Sequence, residues 1–200
     1  MIGEYDKSVF LTYLGASFAV LAMALVFQGN IRLAMMVFIL AGICDLFDGQ
    51  VARRCQRTPA QEAFGVEIDS LCDMISFAAL PACLLFSQIK PLGLGLFLAI
   101  LYVLAAVSRL AYFNRNAKSE ERYSYFVGLP VTYSALVFPL SYWVVSWFGP
   151  HYLFPTWLTL GLVMPLLFVL KVKLPKPNKW AYLFLLILAV VTLFGLGGLA

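Results

Sequence analysis

Long apolar runs constrain the fold of this chain more than any other feature. Hydrophobic residues make up 62% of its 200 positions and charged residues only 12%, with a mean hydropathy of +0.90. A helix needs about 20 apolar residues to cross the hydrocarbon core of a bilayer. We therefore predict an all-α, polytopic transmembrane helical bundle. Its candidate spans lie near residues 9–28, 31–48, 69–88, 92–113, 127–148, 152–170 and 180–199.

Two of these runs differ from a simple membrane span. The second is expected to continue as a helix beyond the membrane surface, to about residue 55. Pro155 and Pro165 interrupt the run at 152–170, so a six-span core with one peripheral segment remains an alternative to seven spans. No long polar stretch separates the runs, and residues 1–200 are expected to form a single integral-membrane domain.

The distribution of basic residues predicts the orientation. With the N-terminus inside, the loops on the inner side carry twelve lysines and arginines, and those on the outer side carry two. The inner residues are Lys7, Arg53, Arg54, Arg57, Arg109, Arg115, Lys118, Arg122, Lys171, Lys173, Lys176 and Lys179, and the outer ones are Arg32 and Lys90. This imbalance predicts a cytoplasmic N-terminus. Glu4 and Asp6 precede the first run, unlike the basic start of a signal peptide, so we expect a retained span.

Two pairs of aspartates lie at the ends of neighbouring apolar runs. Asp45 and Asp48 are three residues apart, and Asp69 and Asp73 are four apart, so a helix places both carboxylates of each pair on one face. Carboxylates so close to lipid are costly and usually functional. Two divalent cations would neutralise four converging carboxylates. Hard cations such as Mg²⁺ take oxygen ligands and often share them with substrate phosphates.

Small residues and an arginine accompany these pairs. Gly49 removes a side chain beside the first pair, Ala52 keeps the next turn small, and Gly65 clears space before the second pair. Arg53 lies about two helical turns beyond the first aspartate, and its planar guanidinium suits a phosphate oxygen. The pattern predicts a metal–diphosphate site with room for a nucleotide, opening to the cytoplasm.

The order of these residues resembles a known family signature. D-x-x-D-G-x-x-A-R…G-x-x-x-D-x-x-x-D, the motif of the CDP-alcohol phosphatidyltransferases, matches every fixed position from Asp45 to Asp73. One departure is the length of the intervening segment, since residues 54–64 make it longer than is usual in the family. We expect this segment to be a cytoplasmic loop, where extra length is tolerated.

The resemblance implies an enzyme that displaces CMP from a CDP-linked lipid with an alcohol. It also implies a six-span core, a site for two Mg²⁺ or Mn²⁺ ions, a homodimer, and partners that are lipids rather than nucleic acids. A diphosphate leaving group needs charge neutralisation and a hydroxyl needs a base within reach, which agrees with this chemistry. The resemblance assigns metal binding to Asp45, Asp48, Asp69 and Asp73, general base catalysis to Asp73, and CDP binding to Gly49, Ala52, Arg53 and Gly65.

Further segments resemble the phosphatidylserine synthases. Residues 69–81 fit D-S-L-x-D-x-x-S-F-x-x-x-P, residues 109–114 are similar to R-L-A-R-F-N, and residues 128–130 read G-L-P. The resemblance implies transfer of a phosphatidyl group from CDP-diacylglycerol to L-serine in a multi-pass membrane, the plasma membrane if the cell is prokaryotic. Arg109 and Asn114 are the candidate acceptor-binding residues. The same transfer to glycerol 3-phosphate, an inositol phosphate or choline is the alternative.

Other interpretations remain open for several of these features. Arg109 could be an interfacial arginine or the partner of an aspartate, and residues 115–122 read as a solvated loop. An intramembrane prenyltransferase would also use two aspartate-rich motifs, but these lack the G-x-x-A-R continuation. A cation transporter would favour carboxylates at the bilayer midplane, whereas these cluster at one face.

Overall fold

The protein is a multi-pass bundle of apolar helices, as the sequence predicts. A computed structural model describes residues 3–117, 125–175 and 178–198. Within these residues, five helical stretches are long and apolar enough to cross a membrane, and Val131–Ser146 is a shorter apolar one. Lys176 and residues 118–122 of the predicted loop lie outside the described residues, whereas residues 115–117 belong to the helix Leu92–Ala117 and not to a loop.

The described structure contains eight α-helices, two short 3-10 helices at Val131–Tyr133 and Pro150–Tyr152, and a two-stranded antiparallel sheet. The helices are α1 (Val9–Phe27), α2 (Ile31–Ala52), α3 (Pro59–Asp73), α4 (Leu80–Gln88), α5 (Leu92–Ala117), α6 (Ser134–Ser146), α7 (Leu153–Val169) and α8 (Lys179–Gly197). A π-helical turn, Met74–Ala79, joins α3 to α4 without a break. Strands β1 (Tyr125–Val127) and β2 (Lys173–Pro175) pair antiparallel.

The helix that carries the second aspartate pair begins earlier than predicted. It starts at Pro59, and the segment expected to be a loop therefore contributes more than a turn of α3. Thr58 Oγ1 accepts a hydrogen bond from the Gln61 backbone N–H at 3.2 Å, and Gln61 Oε1 accepts one from the Thr58 N–H at 3.0 Å. This reciprocal capping box, with proline at the first helical position, is a strong helix start. The prediction was wrong because it took polarity as the sign of a loop.

Helices α2 and α6 also have boundaries that differ from the sequence prediction. Helix α2 ends at Ala52 rather than near residue 55, and α6 occupies only the middle of the run at 127–148. Helix α7 is continuous in spite of its two prolines. Pro155 lies in the first turn, where the missing N–H costs nothing, and Pro165 lies inside the helix.

Aromatic side chains form the centre of the bundle. The Phe138 ring lies 5.8 Å from that of Tyr102 and 5.9 Å from that of Trp157, measured between centroids. Phe38 on α2 lies 6.5 Å from Phe138, so this cluster joins α2, α5, α6 and α7. All four side chains are buried. Packing of this kind fixes how the helices are arranged, and so where α2 presents its aspartates.

Contacts between helices bring the predicted site residues to one end of the bundle. The start of α1 meets the end of α2, the end of α5 meets α3, and the backbone N–H of Gly128 donates to Val172 O at 2.8 Å. Turns at residues 28–30 and 89–91 lie at the opposite end. The described basic residues follow the same division, with Arg32 and Lys90 at the opposite end and the remainder at the site end.

Candidate active site

Three of the four motif aspartates lie together where α2 and α3 meet. Asp45, Asp48 and Asp69 each offer a carboxylate oxygen, and these oxygens lie within 4.8 Å of one another. Asp48 is buried, with 6% of its surface exposed, and the other two are half-buried. Their spacing places Asp45 and Asp48 on one face of α2, turned towards the aspartates of α3.

Asp73 lies beside this triad rather than within it. It is one turn further along α3 than Asp69, and its carboxyl group lies against that of Asp45. Together with Thr12, Asp48 and other residues it lines a narrow recess between the helices. The structure thus brings all four predicted aspartates into one cluster, with Asp73 at its inner side.

The helix changes its geometry immediately after this cluster. Met74–Ala79 forms a π-helical turn, in which the hydrogen bonds skip one residue more than in an α-helix. Such turns often mark functional sites. Ser76 and Phe77, within the turn, are buried against the recess that Asp73 lines. No feature of the sequence pattern distinguished this turn from a regular helix.

Thr12 is a site residue that the sequence analysis missed. Its Oγ1 donates a hydrogen bond of 2.9 Å to Oδ2 of Asp48. The signal was present, because the short turn at residues 28–30 makes α1 and α2 an antiparallel hairpin. Residues at similar distances on either side of that turn must then face each other, and Thr12 and Asp48 are such a pair.

The composition of the triad fits a hard divalent cation. All its donors are carboxylate oxygens, which Mg²⁺ and Mn²⁺ prefer. Across the described segments of the chain, no lysine or arginine forms an ion pair with any of the four aspartates. Carboxylates grouped without a basic partner repel one another, so a bound cation would stabilise this arrangement.

A cavity of about 270 Å³ extends from Asp45 of the triad into the apolar part of the bundle. Asp45, Gly49 and Arg53 form its polar end. A Cβ on Gly49 would meet no atom within 4 Å, so this glycine borders open space. The remaining lining comes from α2, the start of α6 and α8, and is almost wholly apolar: Ile39, Gly42, Ile43, Leu46, Pro130, Thr132, Tyr133, Ala135, Leu136, Tyr182, Leu185, Leu186 and Ala189.

The other two residues assigned to CDP binding lie at the same end of the bundle. Ala52 is the last residue of α2 and is half-buried, outside the lining of this cavity. A Cβ on Gly65 would lie 3.4 Å from Nη1 of Arg57. The space that Gly65 clears is therefore bordered by an arginine, which the sequence analysis did not select.

Of the two candidate acceptor residues, Asn114 is linked directly to the aspartate motif. Ser70 Oγ donates a hydrogen bond to Asn114 Oδ1 at 3.0 Å, and Ser70 follows Asp69 in the chain. The end of α5 is thereby tied to the helix that carries the second aspartate pair.

Arg109, the other candidate acceptor residue, is buried, and its side chain is directed away from the aspartate cluster. Its Nε donates to the backbone carbonyl of Leu129 at 3.2 Å, and its guanidinium lies 5.6 Å from the Phe113 ring centroid. It lines a separate cavity of about 140 Å³ together with Tyr112 and Lys171. The structure does not bring Arg109 to the triad.

Several known proteins are similar to this chain in sequence. The chain is 30% identical over 174 residues to the CDP-diacylglycerol–serine O-phosphatidyltransferase of Mycobacterium tuberculosis, covering 80% of this chain and 59% of that protein. It is 34% identical over 145 residues to the protein of the same name from Methanocaldococcus jannaschii, covering 71% and 64%. It is 32% identical over 133 residues to the archaetidylserine synthase of Methanothermobacter thermautotrophicus, covering 66% and 55%.

These matches span somewhat more than half the length of each relative. The family model for CDP-alcohol phosphatidyltransferases matches residues 8–169, which include the triad, Asp73, Thr12 and Asn114. The chain therefore belongs to the CDP-alcohol phosphatidyltransferase family.

Proposed function

We propose that this protein transfers a phosphatidyl group from CDP-diacylglycerol to L-serine, giving phosphatidylserine and CMP. The observation that carries the proposal is a carboxylate triad, one member of which, Asp45, lines a cavity that is polar at one end and apolar along the rest. A lipid with a nucleoside diphosphate head group needs a polar region for the head group and an apolar region for the acyl chains. The names of the three relatives support serine as the acceptor, because each name includes it.

In the proposed reaction, the serine hydroxyl oxygen attacks the phosphorus that bears the diacylglycerol. The bond from this phosphorus to the bridging oxygen breaks, and CMP leaves with the electron pair. Asp73 accepts the hydroxyl proton. Its place beside the triad supports this role, because a base must lie within reach of the nucleophile without being fully engaged as a ligand.

Asp45, Asp48 and Asp69 would hold the divalent metal, Mg²⁺ or Mn²⁺, and Asp73 would complete a site for two ions. When bound, the metal neutralises charge on the diphosphate and on the departing CMP. Thr12 orients the Asp48 carboxylate by its hydrogen bond, as a group behind a metal ligand commonly does.

The remaining assignments concern the two substrates. Gly49 and Arg53 line the cavity beside Asp45, which supports their role in CDP binding. Ala52 and Gly65 would complete that site by staying small. Asn114 is supported as an acceptor residue through Ser70, whereas Arg109 would act from the neighbouring cavity.

We also propose the cellular setting. The excess of basic residues at the site end supports a cytoplasmic N-terminus and active site. Residues 1–200 would form one integral-membrane domain, in the plasma membrane if the cell is prokaryotic. The homodimer is proposed on the family resemblance.

The test is release of CMP by the purified protein. CDP-diacylglycerol and Mg²⁺ or Mn²⁺ are supplied, and serine, glycerol 3-phosphate, inositol phosphate or choline is added separately. We expect release with serine and not with the other three. Release with another alcohol would preserve the reaction and replace the acceptor, and silence with all four would contradict the transferase assignment.

A further inference from the structure

We propose that Arg57 is a second donor-binding arginine, which holds the diphosphate of the CDP-lipid from the α3 side of the site. This inference rests on the proposed function, because it assumes a nucleoside diphosphate at the triad. The aspartate motif itself supplies only Arg53, the residue that caps the end of α2. Arg57 belongs to the segment between the two halves of that motif.

The position of Arg57 follows from one contact. Its Nη1 lies 3.4 Å from the position that a Cβ on Gly65 would take. Gly65, Asp69 and Asp73 are spaced four residues apart and therefore share one face of α3. At 1.5 Å per residue, Gly65 lies about 6 Å along the helix axis from Asp69. The guanidinium thus lies on the face of the carboxylates, about one turn beyond the triad.

The two helices carry matching arrangements around the site. Outward along α2, Asp45 is followed by Gly49 and then by Arg53, at intervals of four residues. Outward along α3, which runs in the opposite direction, Asp69 is followed by Gly65 and then by the Arg57 side chain. A diphosphate held at the carboxylates would then have a guanidinium on each side. Guanidinium groups bind phosphate oxygens through paired hydrogen bonds.

Asp6 fixes Arg57 in this position. Asp6 Oδ2 lies 3.5 Å from Arg57 Nε, and the two side chains are 7% and 16% exposed. Asp6 Oδ1 accepts hydrogen bonds from the Ser8 N–H at 2.9 Å, from the Ser8 hydroxyl at 2.6 Å and from the Val9 N–H at 3.3 Å. Asp6 is therefore anchored at the start of α1 and engages Arg57 through its other oxygen.

Asp6 remains charged at neutral pH. Burial raises its pKa, but the hydrogen bonds from Ser8 and Val9 and the charge of Arg57 outweigh burial and leave the pKa below its usual 3.8. The ion pair is made at Nε, which leaves the Nη atoms directed towards Gly65. Asp6 is accordingly a positioning residue and Arg57 the ligand-binding one.

The N-terminal segment is held onto α3 by further contacts. Gln61 Nε2 donates to the Tyr5 carbonyl at 3.0 Å, and the Tyr5 and Phe64 rings meet edge to face with centroids 5.2 Å apart. The residues around Asp6 are thus docked on the helix whose face Arg57 covers. The arrangement that orients Arg57 is part of the folded structure rather than a free chain end.

The experiment measures binding of CDP itself, with Mn²⁺ present and no acceptor, to Arg57→Gln, Asp6→Asn and wild-type protein. Arg54→Gln is the matched control, since Arg54 is exposed in the same segment. We expect Arg57→Gln to weaken CDP binding about tenfold, the size of a lost charge-assisted hydrogen bond. Asp6→Asn should weaken it less, and Arg54→Gln should bind like the wild type.

Kinetics provide the second readout. In Arg57→Gln the KM for CDP-diacylglycerol should rise by a similar factor while kcat changes little, because the contact is made before the chemical step. Equal CDP affinity in Arg57→Gln and wild type would overturn this inference alone, leaving Arg57 a tie between the N-terminus and α3. Failure of the wild-type protein to bind CDP would overturn the donor assignment and this inference together.

Discussion

Thr12 on α1 donates a hydrogen bond to Asp48 on α2, with 2.9 Å between Oγ1 and Oδ2. Helix α1, which carries no residue of the aspartate motif, therefore orients a carboxylate of the triad. Loss of a group behind a metal ligand commonly weakens metal binding by about 10- to 100-fold. We expect Thr12→Val to need about tenfold more Mn²⁺ for half-maximal CMP release. Thr12→Ser keeps the hydroxyl and should behave like the wild type; equal metal requirements in the valine and serine variants would contradict the role.

Asp69→Asn should abolish CMP release while the protein still folds and inserts into the membrane. The substitution keeps the shape of the side chain but removes a charge from the triad. Loss of bound Mn²⁺, measured by electron paramagnetic resonance, should accompany the loss of activity. Glu62→Gln is the control, because Glu62 is an exposed acidic residue on the same helix. Turnover close to normal in Asp69→Asn would exclude the triad as the metal site.

Asp73→Asn should slow the chemical step more than it weakens binding of the donor. Removal of a general base costs about 10²- to 10⁴-fold in rate, so kcat should fall in this range while the KM for CDP-diacylglycerol stays near its original value. Single-turnover kinetics separate the two effects. A collapse of CDP-lipid affinity would instead show that Asp73 acts chiefly as a metal ligand and not as the base.

The apolar part of the 270 Å³ cavity predicts where the donor's acyl chains lie. Ala189 on α8 lines this cavity, and Ala189→Phe would fill part of it. We expect a higher KM for long-chain CDP-diacylglycerol and a smaller change for a short-chain donor. Ile187→Phe enlarges an α8 side chain that is 52% exposed, and it should leave both values unchanged. An equal effect of both substitutions would show that the cavity does not receive the chains.

The capping box at the start of α3 predicts a change in stability. Thr58→Ala removes the acceptor for the Gln61 N–H, and loss of such a cap costs about 1 kcal/mol. We expect a lower Tm for thermal unfolding in detergent, followed by tryptophan fluorescence. Thr58→Ser retains the hydroxyl oxygen, so its Tm should lie close to that of the wild type. If the alanine and serine variants have the same Tm, the cap does not stabilise the helix.

The sequence predicted the parts of this protein that depend on local spacing. Apolar runs of sufficient length predicted the helices, and the intervals between aspartates predicted which carboxylates share a face. The site end of the bundle followed from the alternation of the spans. A local signal for the start of α3 was also present, in Thr58, Pro59 and Gln61. It was not recognised because the polar composition of this segment was taken to indicate a loop.

Features that depend on packing between distant residues could not be predicted in the same way. The hydrogen bond from Ser70 to Asn114 joins residues 44 positions apart. Placement of Arg109 in a separate cavity depends on how α5, β1 and α7 pack, which no spacing rule specifies. The sequence analysis counted Arg57 only as one of the basic residues. Its position beside Gly65 depends on the packing of the N-terminal segment against α3, which the sequence does not specify.

Helix α8 forms one wall of the cavity yet is little embedded in the bundle, since Thr192 and Leu196 are its buried residues among those described. Its cavity-facing side chains can therefore vary with little cost to the folding of the bundle. The aspartates belong to α2 and α3, where Asp45, Asp48 and Asp69 are held together in the carboxylate triad. On the proposed function, changes in α8 would thus alter the preference for particular acyl chains and leave the aspartate cluster unchanged.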